Sequence, residues 1–383
     1  MMLRAAVPVL ALLLGGASGF APTRPHRTSS VAPCATEEAA TEGETADPDR
    51  PFTLPTEAFR PKQSLGQNYL SDQNYVRKIC GALTDDSPRG SRVVELGPGT
   101  GALSRTLVQK YPEMTAVEID GRAVEFLAEK LPNLRVLESD VLQIDYRLLS
   151  HALGGPISVI GNLPYHITSQ ILFCIADAIL GTEDWDAPPP VNRAVVTMQY
   201  EVAERLIAPT KCKDYGILSV VFQLLCKPKI NFKIPPTVFF PQPKVDSALV
   251  TFDFTAADCG IQRLQGVDPN DFKTVLRKSF QQRRKMLRAS LKNVLPAGVT
   301  LPDEWGKKRP EALSPEEFVE LTMLCFPEKY SEEAMMMREM TPRDPLEPSP
   351  RVWRKDRHGA YANDAAEGSG ASDYDDDDDD EEW

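Results

Sequence analysis

Between residues 90 and 140, short apolar runs alternate with longer stretches whose apolar positions recur every three or four residues. The pattern predicts a strand over Arg92–Leu96, a helix over Ala102–Lys110, a strand over Thr115–Ile119, a helix over Gly121–Lys130 and a strand over Leu134–Glu138. Strands that are apolar on both faces and separated by helices pair in parallel, because each crossover helix covers one face of the sheet. Ile157–Ile160, Arg193–Gln199 and the well-alternating Ala248–Phe254 read as further strands, with helices over Thr168–Ile179 and Ile217–Cys226 between them. From Asp271 the apolar positions Phe272, Val275, Leu276, Phe280, Leu287 and Leu291 keep a helical spacing, and no strand pattern returns. The expected class is therefore α/β: a sheet domain over residues 57–256, then a small helical domain over residues 257–330.

Outside that span there is little to bury. Residues 33–51 are mostly Ala, Thr, Glu, Pro and Asp and read as a linker, with folded structure expected to begin near Phe59. Residues 331–383 read as a disordered acidic tail that ends in the run Asp375–Glu382. This changes how the net charge of −12 is used, since residues 51–326 carry 32 basic and 31 acidic side chains. The folded part is close to neutral, and the tail does not argue against a polyanionic partner.

The 7 cysteines lie far apart without a Cys-x-x-Cys pair, and there are 4 histidines, so no metal site is expected. Scattered thiols in apolar segments fit a reducing compartment. Residues 1–19 have one positive charge, Arg4, then an apolar stretch from Ala5 to Leu14 and small residues, the layout of a signal peptide. That stretch falls short of the roughly 20 residues a membrane span requires, and no later segment reaches it, so no membrane association is expected. Phe20, Ala21 and Pro22 then lead into an acid-free stretch with Arg24, His26, Arg27, Ser29 and Ser30, so residues 20–56 read as a transit peptide and linker. A signal peptide joined to a transit peptide resembles the two-part presequence of plastid proteins in algae whose plastid lies within the secretory system. The expected location is the plastid stroma, with the mitochondrion or secretion as alternatives.

Val93–Gly101 reads VVELGPGTG, an apolar strand running into Gly97, Gly99 and Gly101 and then a helix. Glycine lets a ligand approach the backbone, and a helix N-terminus offers free N–H groups. The next strand ends at Glu118, a carboxylate placed to accept both hydroxyls of a ribose, and one strand later Asp140 is placed to meet an adenine ring. This combination fits a dinucleotide or S-adenosylmethionine, and the glycines alone do not choose.

Asn162-Leu163-Pro164-Tyr165 does choose. The lone pair of an adenine N6 is delocalised into the ring, so a methyl-acceptor site needs hydrogen-bond acceptors that favour a more pyramidal nitrogen. The Asn162 side-chain oxygen and a main-chain carbonyl at Leu163 or Pro164 are suitable groups, and Pro164 stiffens the turn. Tyr165 can stack on the base, a contact worth roughly 1–3 kcal/mol. No strong general base is needed, because a sulfonium is already a potent methyl donor. A dinucleotide oxidoreductase would explain the glycine turn and leave this tetrapeptide without a role.

With PKQSLGQNYL (Pro61–Leu70), VVELGPGTGALS, GNLPYHITSQIL, DYGILSV, VFFPQPKVDSALV (Val238–Val250) and QRRKMLR (Gln282–Arg288), the chain from about Pro61 to Phe326 closely resembles the KsgA-type ribosomal RNA adenine N6,N6-dimethyltransferases. The first and fifth of these segments disfavour a DNA adenine methyltransferase, which shares the acceptor motif. The resemblance implies a Rossmann-like S-adenosylmethionine-dependent methyltransferase sheet of seven strands with the last pair antiparallel, and a small C-terminal helical domain. It implies S-adenosylmethionine as cofactor and, as substrate, two adjacent adenosines in the 3′-terminal hairpin loop of small-subunit ribosomal RNA within the immature small subunit, acted on by a monomer. By position it implies cofactor contacts from Asn68, Leu70, Gly97, Gly99, Gly101, Glu118, Asp140 and Asn162. Phe239 would be the second stacking face opposite Tyr165, with neighbouring Phe240 easily confused with it. A non-catalytic organellar ribosome-assembly or transcription factor of the same fold is the alternative, and it would not need Asn162 or Tyr165.

Asp271–Lys292 holds eight basic residues against one acidic residue. Arg277, Lys278, Arg283, Arg284, Lys285 and Arg288, with Lys62 and Lys244, are the expected phosphate contacts, and such contacts make binding salt-sensitive. The acidic tail is expected to compete for this strip when RNA is absent.

Overall fold

The computed structural model describes residues 66–181, 188–256, 259–296 and 298–331. The expected leader, transit peptide, linker, start of the fold, Lys62 and the tail beyond Ser331 lie outside the described residues. A seven-stranded sheet organises the rest. Its strands are β2 (Val93–Leu96), β3 (Thr115–Glu118), β4 (Arg135–Glu138), β5 (Ile157–Asn162), β6 (Val191–Gln199), β7 (Lys227–Ile234) and β9 (Ser247–Asp253), in the spatial order β4-β3-β2-β5-β6-β9-β7. The first five run parallel, while β9 is antiparallel to both β6 and β7. The chain order reverses at β2, where β3 lies on one side and β5 on the other. An open α/β sheet binds ligands at the carboxyl ends of its strands at such a switch point.

Helices pack against the sheet. They are α1 (Gln73–Ala82), α2 (Ser104–Lys110), α3 (Gly121–Lys130), α4 (Tyr146–Ala152), α5 (Thr168–Leu180), α6 (Tyr200–Ile207) and α7 (Ile217–Leu225). Asp72, Asp120 and Asp145 accept hydrogen bonds from the first-turn N–H groups of α1, α3 and α4 and start those helices. On α5 every residue from Ile171 to Leu180 is buried, as its apolar composition requires. Under β9, Phe252 meets Phe222 of α7 edge to face with ring centroids 5.4 Å apart.

The C-terminal region is helical, with α8 (Pro269–Gln281), short α9 (Leu287–Ser290) and α10 (Asp303–Gly306), and α11 (Pro315–Cys325). Ser314 and Glu317 form a reciprocal capping box at the start of α11, which packs on α8 and α7. Among the described residues no helix is long and apolar enough to cross a membrane.

The structure adds three things to the sequence pattern. Lys227–Ile234 is an edge strand that its Pro and three Lys residues conceal, a composition typical of protected edges. A two-stranded ladder joins β1 (Tyr69–Leu70) to β8 (Phe239–Phe240), too short to leave a period. The basic strip Asp271–Lys292 is not one helix, since α8 stops at Gln281 and a turn follows, with the Arg283 and Lys285 N–H groups donating to the Phe280 and Gln282 carbonyls.

Candidate active site

A cavity of about 230 Å³ opens at the carboxyl ends of β2, β3 and β5. Its floor is Leu96, Gly97, Pro98 and Gly99, one side carries Glu118, Ile119 and Asp140, and the opposite side is Asn162–Pro164. The segment Gly66–Leu70 lies across it and supplies the remaining wall. Of the expected cofactor contacts, Asn68, Leu70, Gly97, Gly99, Glu118, Asp140 and Asn162 all reach this one cavity.

Gly97 takes φ 64°, and a Cβ there would point into open space, which keeps the floor clear. Gly99 takes φ 54°, and a Cβ there would lie 2.9 Å from the Tyr69 ring. Gly101 departs from the expectation, because it faces Leu127 of α3 at 2.9 Å from an added Cβ and does not line the cavity. Its place is the close packing of helix on strand that the third glycine of such turns permits.

Glu118 is 5% exposed and its carboxylate is well supplied. Oε2 accepts from the Gly99 N–H at 2.9 Å, and Oε1 accepts from the Ile119 and Asp120 N–H groups at 2.9 Å each. A carboxylate has about four acceptor positions. Glu118 therefore ties the glycine turn to the end of β3 and keeps one acceptor position, which serves one ribose hydroxyl where the sequence had suggested two. Asp140 Oδ1 accepts from the Leu142 N–H at 2.9 Å, which holds that carboxylate at the cavity edge.

Two residues here were not singled out by the sequence pattern. Tyr69 is buried against the glycines, its hydroxyl donates to Gln67 Oε1 at 2.8 Å, and burial with nearby Asp120 and Glu118 pushes its phenol up to about 12. Glu95 at the end of β2 is 1% exposed, lines the cavity and accepts from the Ser104 hydroxyl at 2.7 Å. Burial pushes its carboxyl from 4.5 up to about 8, with the Ser104 hydrogen bond pulling the other way and Glu118 adding to the rise. Glu95 and Tyr69 stood inside segments that the sequence had already marked, at positions with no periodicity to single them out.

A raised acid makes stability depend on pH. Between pH 4.5 and about 8 the unfolded chain has released the Glu95 proton and the folded chain has kept it, so stability falls as pH rises across that window and levels off above it. At pH 7 the cost is on the order of 3 kcal/mol. Glu95→Gln keeps the acceptor for Ser104 without the titration. Its thermal midpoint is expected to exceed that of the unaltered chain at pH 7.5 and to match it near pH 4.5, and equal midpoints at pH 7.5 would refute this account.

At the acceptor end, β5 runs two residues beyond the expected Ile160 and carries Asn162 as its last residue. The Asn162 Nδ2 donates to the Asn68 carbonyl at 2.7 Å, and its Oδ1 accepts from the Thr197 hydroxyl. The Pro164 carbonyl accepts from the Thr168 hydroxyl at 2.9 Å and from the Ile167 N–H at 3.3 Å. With both its acceptor positions engaged, Leu163 is left as the free main-chain carbonyl of the expected pair. The hydroxyls of Tyr165 and Ser247 hydrogen-bond to each other, and burial pushes the Tyr165 phenol up against the opposing effect of that bond. Tyr165 is thus a neutral ring held at its far end by β9.

Phe239 departs from its expected place. It is 4% exposed in the apolar cluster with Leu70, Leu103 and Leu249 and, like Tyr165, does not line the cavity. The β1–β8 register pairs it with Leu70, whereas Phe240 pairs with Tyr69 and is 45% exposed. Alternation along the ladder sends the two rings to opposite faces, so Phe239 has become core and the open ring is Phe240.

Of the expected RNA contacts, Lys244, Lys278, Arg284, Lys285 and Arg288 are exposed, and Arg277 is half-buried. Arg283 is half-buried and donates to the Lys213 carbonyl at 2.8 Å. Lys273 drops out of the strip, being 6% exposed beside Phe272 on the inner face of α8.

A model of the family described as "Ribosomal RNA adenine dimethylase" matches residues 58–319. The chain is 46% identical over 281 residues to a protein of Salinibacter ruber named Ribosomal RNA small subunit methyltransferase A, covering 71% of this chain and 90% of that one. It is 39% identical over 270 residues to the protein of that name from Parabacteroides distasonis, covering 69% and 94%. The crystal structure of a dimethyladenosine transferase from Plasmodium falciparum matches with a TM-score of 0.50 at 22% identity, covering 67% of this chain and 95% of that one, a likeness of fold.

Proposed function

This chain belongs to the ribosomal RNA adenine dimethylase family and is an S-adenosylmethionine-dependent rRNA adenine dimethyltransferase, and from that premise we propose that it dimethylates two adjacent adenosines in the 3′-terminal hairpin loop of small-subunit ribosomal RNA during subunit biogenesis. The observation that carries the reading is the Asn162 amide, which lines the cavity and is anchored on the Asn68 carbonyl, with Tyr165 fixed through its hydroxyl on Ser247 three residues along the chain and outside the cavity lining. The relatives named for small-subunit methylation, similar over about 70% of the chain, favour that substrate.

The residues present fit the cofactor. Gly97 leaves room on the cavity floor, Glu118 keeps an acceptor for a ribose hydroxyl, and Asp140 stands at the edge for an adenine amine. Glu95, neutral when alone, would give up its proton to pair with an ammonium group held in the cavity. S-adenosylmethionine supplies an electrophilic methyl carbon on a sulfonium. The chain's own residues arrange the acceptor: Asn162 Oδ1 and the Leu163 carbonyl accept from the target amine, and Tyr165 stacks on its base. With the cofactor bound, the amine nitrogen would accept the methyl group as the bond from carbon to the sulfonium sulfur breaks, the sulfur leaving as a neutral thioether and the amine proton passing to water, twice for each base. The base enters unstacked, since its N6 is out of reach inside a helix.

The test is to incubate the full chain with immature small ribosomal subunits and methyl-labelled cofactor, then map the modified nucleotides. Dimethyladenosine at two neighbouring positions of the 3′-terminal hairpin is expected, and label on large-subunit RNA alone would overturn the proposal. Neutralising Arg284, Lys285 and Arg288 together should reduce the slope of log affinity against log salt by about 2. An unchanged slope would remove this turn from the RNA surface. The plastid stroma stays our proposed location, and a fluorescent reporter carrying residues 1–60 that failed to enter the plastid would refute it.

A further inference from the structure

The middle of β6 reads Ala194-Val195-Val196-Thr197-Met198, five residues that are all 0% exposed. Four of them are what the centre of a sheet demands. Thr197 is not, because a valine of nearly the same shape would bury more apolar surface with no hydroxyl to satisfy. That hydroxyl reaches into the neighbouring strand, where the β5–β6 register sets Thr197 directly beside Asn162, and it donates to Asn162 Oδ1.

The amide of an asparagine has two ends of similar size and opposite polarity, and its partners alone decide which end faces where. The Asn68 carbonyl can only accept, so the end turned toward it is Nδ2, 2.7 Å away. Oδ1 then lies on the Thr197 side, and the threonine proton occupies one of its two lone pairs. One lone pair stays free, in the plane of an amide clamped at both ends. Without the threonine hydroxyl the amide would be held at its nitrogen only and free to swing about that contact.

We propose that Thr197 is a positioning residue for methyl transfer, fixing the Asn162 amide so that a single carbonyl lone pair is aimed at the adenine amine. The inference deepens the reading above and rests on Asn162 being the amine acceptor. Thr197 is fully buried and does not line the cavity, so it acts through Asn162 alone.

The experiment compares the full chain with Thr197→Val, Thr197→Ser and Asn162→Ala, measuring kcat and the KM values for S-adenosylmethionine and small-subunit RNA, with thermal midpoints alongside. Thr197→Val is expected to lower kcat by about tenfold to a hundredfold, the range for one lost orienting hydrogen bond, and to leave both KM values within about twofold. Thr197→Ser, which keeps the donor, is expected to recover most of the rate. A valine variant with kcat within about twofold of the unaltered chain overturns the inference, as does a folded serine variant as slow as the valine one. If the valine variant does not fold, Thr197→Ala is read the same way. The two readings separate cleanly: an active Asn162→Ala sinks the acceptor assignment itself, whereas an inactive Asn162→Ala beside a fully active Thr197→Val sinks this inference alone.

Discussion

Asn162→Ala is expected to abolish methyl transfer while leaving RNA affinity within about twofold. Removing one group that stabilises a transition state commonly lowers kcat by about 10²–10³. Here the loss is larger, because the amide also ties β5 to the Gly66–Leu70 segment through Asn68. Asn162→Asp is the sharper control. It has nearly the same shape and two acceptor oxygens, but it cannot donate to the Asn68 carbonyl, and two acceptors 2.7 Å apart would repel. Aspartate should therefore be about as inactive as alanine, and its thermal midpoint should drop further. Single-turnover rates with labelled cofactor, and filter binding of the RNA, measure both quantities. An aspartate variant with near-normal turnover would show that the nitrogen end of the amide has no part in holding the site.

Glu118→Gln should weaken cofactor binding by about a hundredfold, the equivalent of two to three kcal/mol. The three N–H groups of Gly99, Ile119 and Asp120 converge on the carboxylate. A glutamine offers one acceptor and turns an NH₂ group toward N–H donors, so at least one buried N–H loses its partner, and an unmet buried donor costs about 1–3 kcal/mol. The glycine turn would lose its tie to β3, and the acceptor position left for a ribose hydroxyl would lose its charge. Titration calorimetry with S-adenosylmethionine reads the change directly. Affinity within about threefold of normal would mean that the carboxylate serves only the turn.

Much of the site was legible in the residues themselves. The strand-turn-helix around Gly97 and Gly99, the acidic end of β3, Asp140 in the turn after β4, and the Asn162–Tyr165 tetrapeptide are local features, and parallel pairing brings the carboxyl ends of β2, β3, β4 and β5 to one edge of the sheet. The edge strand β7 was not legible, because lysines and a proline serve an edge by masking its period.

The sequence by itself determined the α/β class, the glycine turn at the end of an apolar strand and the chemical groups offered to cofactor and base, since each depends on backbone preference and residue type within a short span. Tertiary structure alone decided how those groups are held. It assigned Phe239 to the core and Phe240 to the surface through the pairing of two dipeptides 170 residues apart, gave Tyr165 its brace on Ser247, and set Thr197 next to Asn162. Each of those outcomes is a contact between strands far apart in the chain, and a side chain's local pattern says which face it takes, not which distant partner waits there.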